Sequence, residues 1–431
     1  MTVLLPERKT AIPGPRSLQL ARELRQVENP NITFLDKEQR FPIFWESARG
    51  CLVADVDGNT FLDLTAAFGV AGVGHTNPRV AAAIADQAHK LIHGMGDVHP
   101  SALKVELAQK ICQHTPGNLG GVIFGANGGD AIEAALKTAR LFTGKSGVLA
   151  FEGGYHGLTY GALSVTHRAD FKTPFAGQTP TFAQHLPYPQ DAYTLQDSLH
   201  DVERLLSDRD AGIGAVLAEP VQGRGGIVVP PRGWLAELHA LCQHFGVLLI
   251  ADEIFTGWGR TGAWWACDHE GVVPDLLCMG KAMGGGFPIS ACVGRPDVMA
   301  AWGESRGEAL HTSTFLGSPL GCRAALAAIA EIEEHNLPER ARVVGAYLKE
   351  RLDELARSHR QIAEVRGRGL MLGLRFVSAA ISLQLVYDLL KRGLIVLPAG
   401  AGDILEFVPP LIIETEQINF AVREIGAALN T

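Results

Sequence analysis

The sequence predicts an α/β protein: a large, mostly parallel sheet with helices on both faces, joined to a smaller α+β unit. Three observations carry this expectation. Between about residues 120 and 325, short apolar runs alternate with helical stretches, the rhythm of a parallel sheet covered on both sides. Many of the 49 glycines cluster in loops between those runs, where a chain leaving a strand needs conformational freedom. Past Cys322 the rhythm changes to two long helical segments followed by short strand signals. The chain has 431 residues, too many for one compact core. The expected division is an N-terminal arm with part of a small unit over 1–75, a large unit over 76–325, and the rest of the small unit over 326–431.

Residues 1–40 are polar, with prolines at 6, 13, 15 and 30, and read as an arm wrapped on something, such as a partner subunit. Two alternating runs flank Asp57-Gly58, a strong hairpin signal. Residues 78–92 and 101–113 have helical spacing, the second with Ser101 placed as an N-cap. Within the large unit, strands are expected at 121–124, 146–151, 214–220 and 247–251, with helices from Asp130 and over 235–245. Beyond it, helices are expected at about 319–335, 338–357 and 382–392. Strands are expected in the run from Glu364 to Phe376, at 394–397 and at 404–408.

Composition excludes several classes of function. Hydrophobic residues make up 47% and charged residues 19%, an ordinary globular balance. The net charge of -8, with no basic block, argues against a nucleic-acid partner. No apolar stretch approaches the ~20 residues that span a bilayer. The start lacks a basic segment followed by an apolar run, so no signal peptide is expected. Seven scattered cysteines without CxxC or metal-finger spacing suggest reduced thiols, no metal site and a cytoplasmic enzyme.

The chemistry is concentrated at the ends of the expected strands, where open α/β sheets bind ligands. Asp252 ends an apolar run and is followed by Glu253-Ile254-Phe255. Lys281 follows a second apolar run and precedes Gly284-Gly285-Gly286, where backbone can approach a ligand closely. A carboxylate and an amine on neighbouring strand ends fit one chemistry well. The amine forms a Schiff base with an aldehyde cofactor, and the acid keeps that cofactor's pyridinium nitrogen protonated. The cofactor so implied is pyridoxal 5'-phosphate. Asn127-Gly128-Gly129 joins a strand to a helix start, which suits a phosphate, although glycine turns before helices are common. Tyr155 can stack on a flat ring or simply cap the core. Ile254 points the same way as Asp252 and can pack on the ring face. His75, His156 and His311 read as hydrogen-bonded structural groups, since Lys281 can itself carry a proton.

At this point the chain resembles the class III (omega-type) aminotransferases of pyridoxal-phosphate fold type I. The resemblance runs from about residue 45 to the C-terminus. It rests on the hairpin leading to Gly74-His75, on Tyr155-His156-Gly157, on Glu219-Pro220, on Asp252-Glu253-Ile254, on Gly280-Lys281-Ala282 and on Thr314-Phe315. It implies Lys281 as the Schiff-base amine, Asp252 as the pyridinium partner and Tyr155 as the stacking ring. Gly128 and Gly129 become phosphate donors, His156 a further group at the cofactor, and Glu219 a group ordering the surroundings of Asp252 or the cofactor's phenolic side. Thr314 would reach the phosphate of a neighbouring subunit, which implies a homodimer at least.

Departures from the family pattern bear on the substrate. The usual Ser-Gly-Thr phosphate loop is here Asn127-Gly128-Gly129. Leu158 stands where members acting on 4-aminobutyrate or acetylornithine carry arginine, and Phe255 stands where they carry glutamine. Arg224 and Glu406 occupy positions at which many members have glutamate and arginine, so the charges look exchanged. We expect Arg224 and Glu406 to pair across the site mouth, with Arg224 leaving to clamp a 2-oxo acid carboxylate and Phe68 and Phe255 walling the pocket. The implied reaction moves an amino group from a primary amine or omega-amino compound to a 2-oxo acid such as pyruvate. A racemase or epimerase of amino acids or amino-lactams on the same fold is the alternative, because Leu405-Glu406-Phe407 resembles such enzymes.

Overall fold

A computed structural model describes residues 3–430 except 37, 39 and 41. Its centre is a seven-stranded sheet in the spatial order Gly120–Gly125, Ser290–Gly294, Leu276–Met279, Leu248–Asp252, Ile213–Ala218, Gly147–Phe151, Ala183–Leu186. Only Ser290–Gly294 runs antiparallel to its neighbours, so the other six strands are mutually parallel. The run Leu248–Asp252 is buried at every position, as expected for a strand covered on both faces. Two buried apolar clusters flank the sheet. One includes Leu149, Val216, Leu249 and Leu277, and the other Ala150, Leu217, Ile250 and Cys278, so alternate residues of one strand serve opposite faces.

Two further sheets stand outside this one. Trp45–Arg49, Leu52–Asp55 and Thr60–Asp63 form an antiparallel meander, to which Leu394–Ile395 adds in parallel. That pairing ties the first part of the chain to the last. Ile362–Arg368 and Met371–Phe376 form a hairpin extended by Ile404–Phe407 and Leu397–Ala399. Helices Pro319–Glu334 and Leu337–Ser358 lie between the large sheet and this hairpin in sequence, at the expected places. Helix Pro15–Val27 lies in the segment read only as an arm. Ser101 does precede the Ala102–His114 helix, but its hydroxyl makes no capping bond and is buried without a hydrogen-bond partner.

None of the seven cysteines is bridged. Among the described residues, no helix is long and apolar enough to cross a membrane.

Candidate active site

Five of the parallel strands deliver side chains at or just past their C-terminal ends. They enclose a cavity of about 310 Å³ lined by Gly128, Tyr155, Glu219, Asp252, Phe255 and Lys281 together with their neighbours. The volume lies within the range of small-ligand sites, about 300–1,000 Å³.

The anion end is a helix start. Gly128 and Gly129 open the 16-residue helix Gly128–Thr143, so their N–H groups have no carbonyl within the helix to receive them. Asn127 is the N-cap, and its side chain accepts from the Asp130 N–H, while Asp130 accepts from the Asn127 and Ala126 N–H groups. This capping box uses Asn127 Oδ1 for the helix and leaves the Asn127 amide nitrogen for a ligand. A Cβ on Gly128 would sit 3.1 Å from Ile254, so glycine keeps this wall of the cavity open.

The acid end is a buried pair. Asp252 Oδ2 lies 2.7 Å from His156 Nδ1, and Asp252 Oδ1 accepts the Ile254 N–H at 3.1 Å. Both residues are almost fully buried. Burial alone would lower the His156 pKa, but the hydrogen bond and charge of Asp252 outweigh it and hold the pKa above its usual value. The sequence placed both residues near the site but not this bond, since the partners are 96 positions apart. Glu219 accepts N–H groups from Tyr155 at 3.0 Å and from Gly223 at 2.9 Å, so it orders the loop that carries the aromatic ring. Burial raises its pKa as well.

Lys281 lies between these ends. Burial pulls its amine down to about 8, against the opposing pull of the Glu406, Asp252 and Glu219 carboxylates. Among the described residues its Nζ makes no hydrogen bond or ion pair, and instead sits 3.5 Å from the centre of the Phe255 ring. An amine with a lowered pKa and no fixed partner is a nucleophile available near neutral pH. Its backbone has φ 45°, a left-handed conformation uncommon outside glycine.

A second left-handed segment faces it. Ala66, Ala67, Phe68 and Gly69 have φ of 46°, 49°, 63° and 78° in succession. Asp63 holds this turn by accepting from the Thr65 N–H, the Thr65 hydroxyl and the Ala67 N–H, and His75 Nε2 lies 2.8 Å from its other side. A Cβ on Gly69 would come within 2.5 Å of the Phe255 ring, and one on Gly223 would overlap the opposite edge of the same ring. Phe255 is thus slotted between two glycines. Gly69→Ala is expected to destabilise the protein by about 1–3 kcal/mol, through ring overlap and a strained φ. Thermal denaturation checks it, and a melting temperature equal to wild type would contradict this packing.

Four residues expected at the site need separate placing. Phe68 is 57% exposed and lines an adjoining groove with Trp45 and Leu397 instead of this cavity, because the left-handed turn rotates it outward. Thr314 is exposed and outside the cavity of this single chain. Arg224 and Glu406 do not form the direct pair expected of them. The Arg224 guanidinium lies 4.9 Å from the centre of the Tyr155 ring, and Glu406 is buried on the strand Ile404–Phe407. A planar cation on an aromatic face keeps its stacking energy without the desolvation that reaching a buried carboxylate would require.

A family model of class-III aminotransferases matches residues 34–429. The chain belongs to that family. An acetylornithine aminotransferase of Methanopyrus kandleri is 38% identical over 390 residues, covering 90% of this chain and 95% of that protein. A putrescine aminotransferase of Pectobacterium atrosepticum is 37% identical, covering 88% of this chain and 81% of that protein. Among solved structures, an ornithine aminotransferase from Toxoplasma gondii ME49 superposes with a TM-score of 0.86 at 30% identity, covering 98% of this chain and 99% of that one. An amine transaminase from an uncultivated Pseudomonas species, crystallised with pyridoxal phosphate bound, gives a TM-score of 0.87 at 28% identity over 94% of this chain and 98% of that one. This class-III aminotransferase is therefore a pyridoxal-phosphate enzyme of the corresponding fold. Its residues suit the cofactor: donors at a helix start for the phosphate, a buried acid for the ring, and an unpartnered amine for the aldehyde.

Proposed function

We propose that this aminotransferase takes its amino group from a primary amine or omega-amino compound with an apolar portion and gives it to a 2-oxo acid such as pyruvate. The observation that carries this reading is the cavity wall. Leu158, Ile254 and Phe255 are apolar members of the lining, and Arg224 is its one arginine beside the lysine Lys281. An apolar donor fits the first feature and a carboxylate the second.

Bound pyridoxal phosphate supplies an aldehyde for amine capture and a cationic ring that accepts the electron pair left when a C–H proton departs. The rest falls to this chain. Gly128, Gly129 and the free end of Asn127 would hold the phosphate, Tyr155 and Ile254 the two faces of the ring, and Asp252, oriented by His156, its nitrogen. Glu219 keeps the Tyr155 loop in place. Lys281 would hold the aldehyde of the bound cofactor and, once freed by a donor amine, would carry the proton from the donor's amine-bearing carbon. Arg224 swings from Tyr155 to the carboxylate of the 2-oxo acid. The exposed Thr314 would complete the phosphate site of a second subunit, making a homodimer the working form.

Arg224→Ala is the test. The expected result is a KM for pyruvate raised at least about tenfold, the scale of one lost charge-assisted hydrogen bond. The KM for a carboxylate-free amine should stay within about twofold on the same reasoning. Equal changes for both, or none for either, would overturn the reading. Acetylornithine and putrescine, named for the relatives, belong in the donor panel beside aryl-alkyl amines.

A further inference from the structure

Phe171 stands beside the site without lining it. It is half-buried on the short helix Ala169–Lys172, and its ring meets the Tyr155 ring edge-on, with 5.9 Å between centres and 61° between planes. The Arg224 guanidinium lies against both rings, 4.9 Å from the centre of Tyr155 and 5.9 Å from that of Phe171. Tyr155 and Arg224 both line the cavity. Among the described residues the guanidinium makes no hydrogen bond and no ion pair, so the two rings hold it. A second cation on Phe171 is differently placed. Arg168 lies 5.0 Å from the ring centre and forks onto Asp170, through Nε at 3.2 Å and Nη2 at 2.7 Å. Asp170 thus neutralises Arg168, while Arg224 keeps a charge that no carboxylate contacts. The main chain under Arg224 is fixed. Gln222 and Val228 exchange N–H···O bonds of 3.0 Å, Gly226 and Ile227 donate to the Gly223 carbonyl, and the Arg224 carbonyl accepts the Gly400 N–H at 3.0 Å. Movement of the guanidinium toward a ligand is therefore a side-chain rotation off the two rings.

We propose that Phe171 is a positioning residue: with Tyr155 it holds Arg224 off the substrate carboxylate, and so sets how the enzyme divides its affinity between 2-oxo acids and carboxylate-free amines. The inference rests on the reading of Arg224 as the carboxylate clamp. In that reading Arg224 has two arrangements, one against the rings and one reaching into the cavity. A carboxylate binds only the second, so its apparent affinity is reduced by the fraction of molecules in which Arg224 has left the rings. A carboxylate-free amine makes no demand on the guanidinium and binds with Arg224 in place. Contact with Phe171 therefore weakens binding of one substrate and not the other. A single aromatic face of this kind shifts such an equilibrium by about two- to fivefold. The charge-assisted fork to a carboxylate outweighs it, so the arginine leaves the rings for a 2-oxo acid and stays for an amine.

The test uses Phe171→Leu, which keeps apolar bulk and removes the aromatic face, and Phe171→Trp, which enlarges that face, both in the full-length protein. The first readout needs no turnover. In cofactor-free protein, arginines are modified with phenylglyoxal and read by peptide mass spectrometry. Arg340 is the internal standard, because its guanidinium is tied to the carbonyls of Leu411, Ile412 and Ile413. Relative to it, Arg224 should react about threefold faster in Phe171→Leu and about twofold slower in Phe171→Trp. The second readout is steady-state kinetics of the holoenzyme. The KM for pyruvate should fall about threefold in Phe171→Leu and rise about twofold in Phe171→Trp, while the KM for benzylamine stays within about 1.5-fold in both. In an Arg224→Ala background, Phe171→Leu should no longer move the pyruvate KM. Unchanged labelling of Arg224 overturns the proposal. So do parallel changes in both KM values, or a pyruvate effect that persists without Arg224, since either marks a purely structural role. If one variant does not fold, the other carries the comparison in its own direction. An Arg224→Ala enzyme with an unaltered pyruvate KM would instead defeat the clamp reading on which the inference rests.

Discussion

Lys281→Ala is expected to lower kcat by more than about 10⁴-fold with any donor, because one substitution removes both the nucleophile and the proton carrier. Folding should survive it. The Nζ makes no hydrogen bond or ion pair among the described residues, so its loss leaves no protein partner orphaned. A circular-dichroism melt within a few degrees of wild type, combined with lost turnover, is the expected pair of results. Retained turnover would mean that another group performs the chemistry. A related pH effect follows from the lowered amine. Its pKa lies near 8 in the folded protein, below the ordinary lysine value, so the neutral fraction grows as pH rises, reaches half near pH 8 and is nearly complete about one unit above it. Cofactor uptake by the cofactor-free protein should therefore quicken about tenfold per unit below pH 8 and level off above it. Stopped-flow absorbance measures this.

Asp252→Ala should cost about 10³-fold in kcat while leaving the coloured cofactor bound. The carboxylate is the buried negative charge at the end of the Leu248–Asp252 strand, and without it a protonated ring nitrogen loses its counter-charge. His156 would also change. Burial opposes its raised pKa, and the bond and charge of Asp252 do most to hold it up, so loss of Asp252 would lower it, with only the Glu219 charge left to oppose burial. Turnover within tenfold of wild type in Asp252→Ala would show that the acid is not the electronic partner of the cofactor.

The parts of the fold legible from sequence are those with a local signal. Five apolar residues ending in Asp252 read as a buried strand, and the glycines of Asn127-Gly128-Gly129 mark a strand-to-helix turn that the structure contains. Two strands of the large sheet carry no such local signal. Ala183–Leu186 reads Ala-Gln-His-Leu, too short and polar to show a pattern, and it lies at the sheet edge. Ser290–Gly294 is built of small residues and runs against the parallel rhythm. The stretch from Glu364 to Phe376 read as one strand but folds as a hairpin, turning at Gly369 with φ 58°.

The site divides in the same way. Lys281, Asp252 and Tyr155 stand at strand ends and were visible. The left-handed turn at 66–69 was not, since its first three residues are not glycine and nothing local marks them. It is stabilised by Asp63 and His75, and the bond between those two is a long-range one. The expectation that Phe68 walls the pocket differs from the structure because this turn carries it to the adjoining groove. Arg224 and Glu406 stand out in the sequence as charges exchanged relative to the family pattern, but the expected pair does not form. Their contact failed because an aromatic ring competes for the guanidinium, a choice made only in three dimensions.

The most direct test of the account is borohydride reduction of the purified holoenzyme, followed by proteolysis and mass spectrometry. The account predicts a phosphopyridoxyl group fixed on Lys281 and on no other lysine, with an absorbance band that shifts when a donor amine is added before reduction. A colourless protein, or label distributed over lysines other than 281, would contradict it.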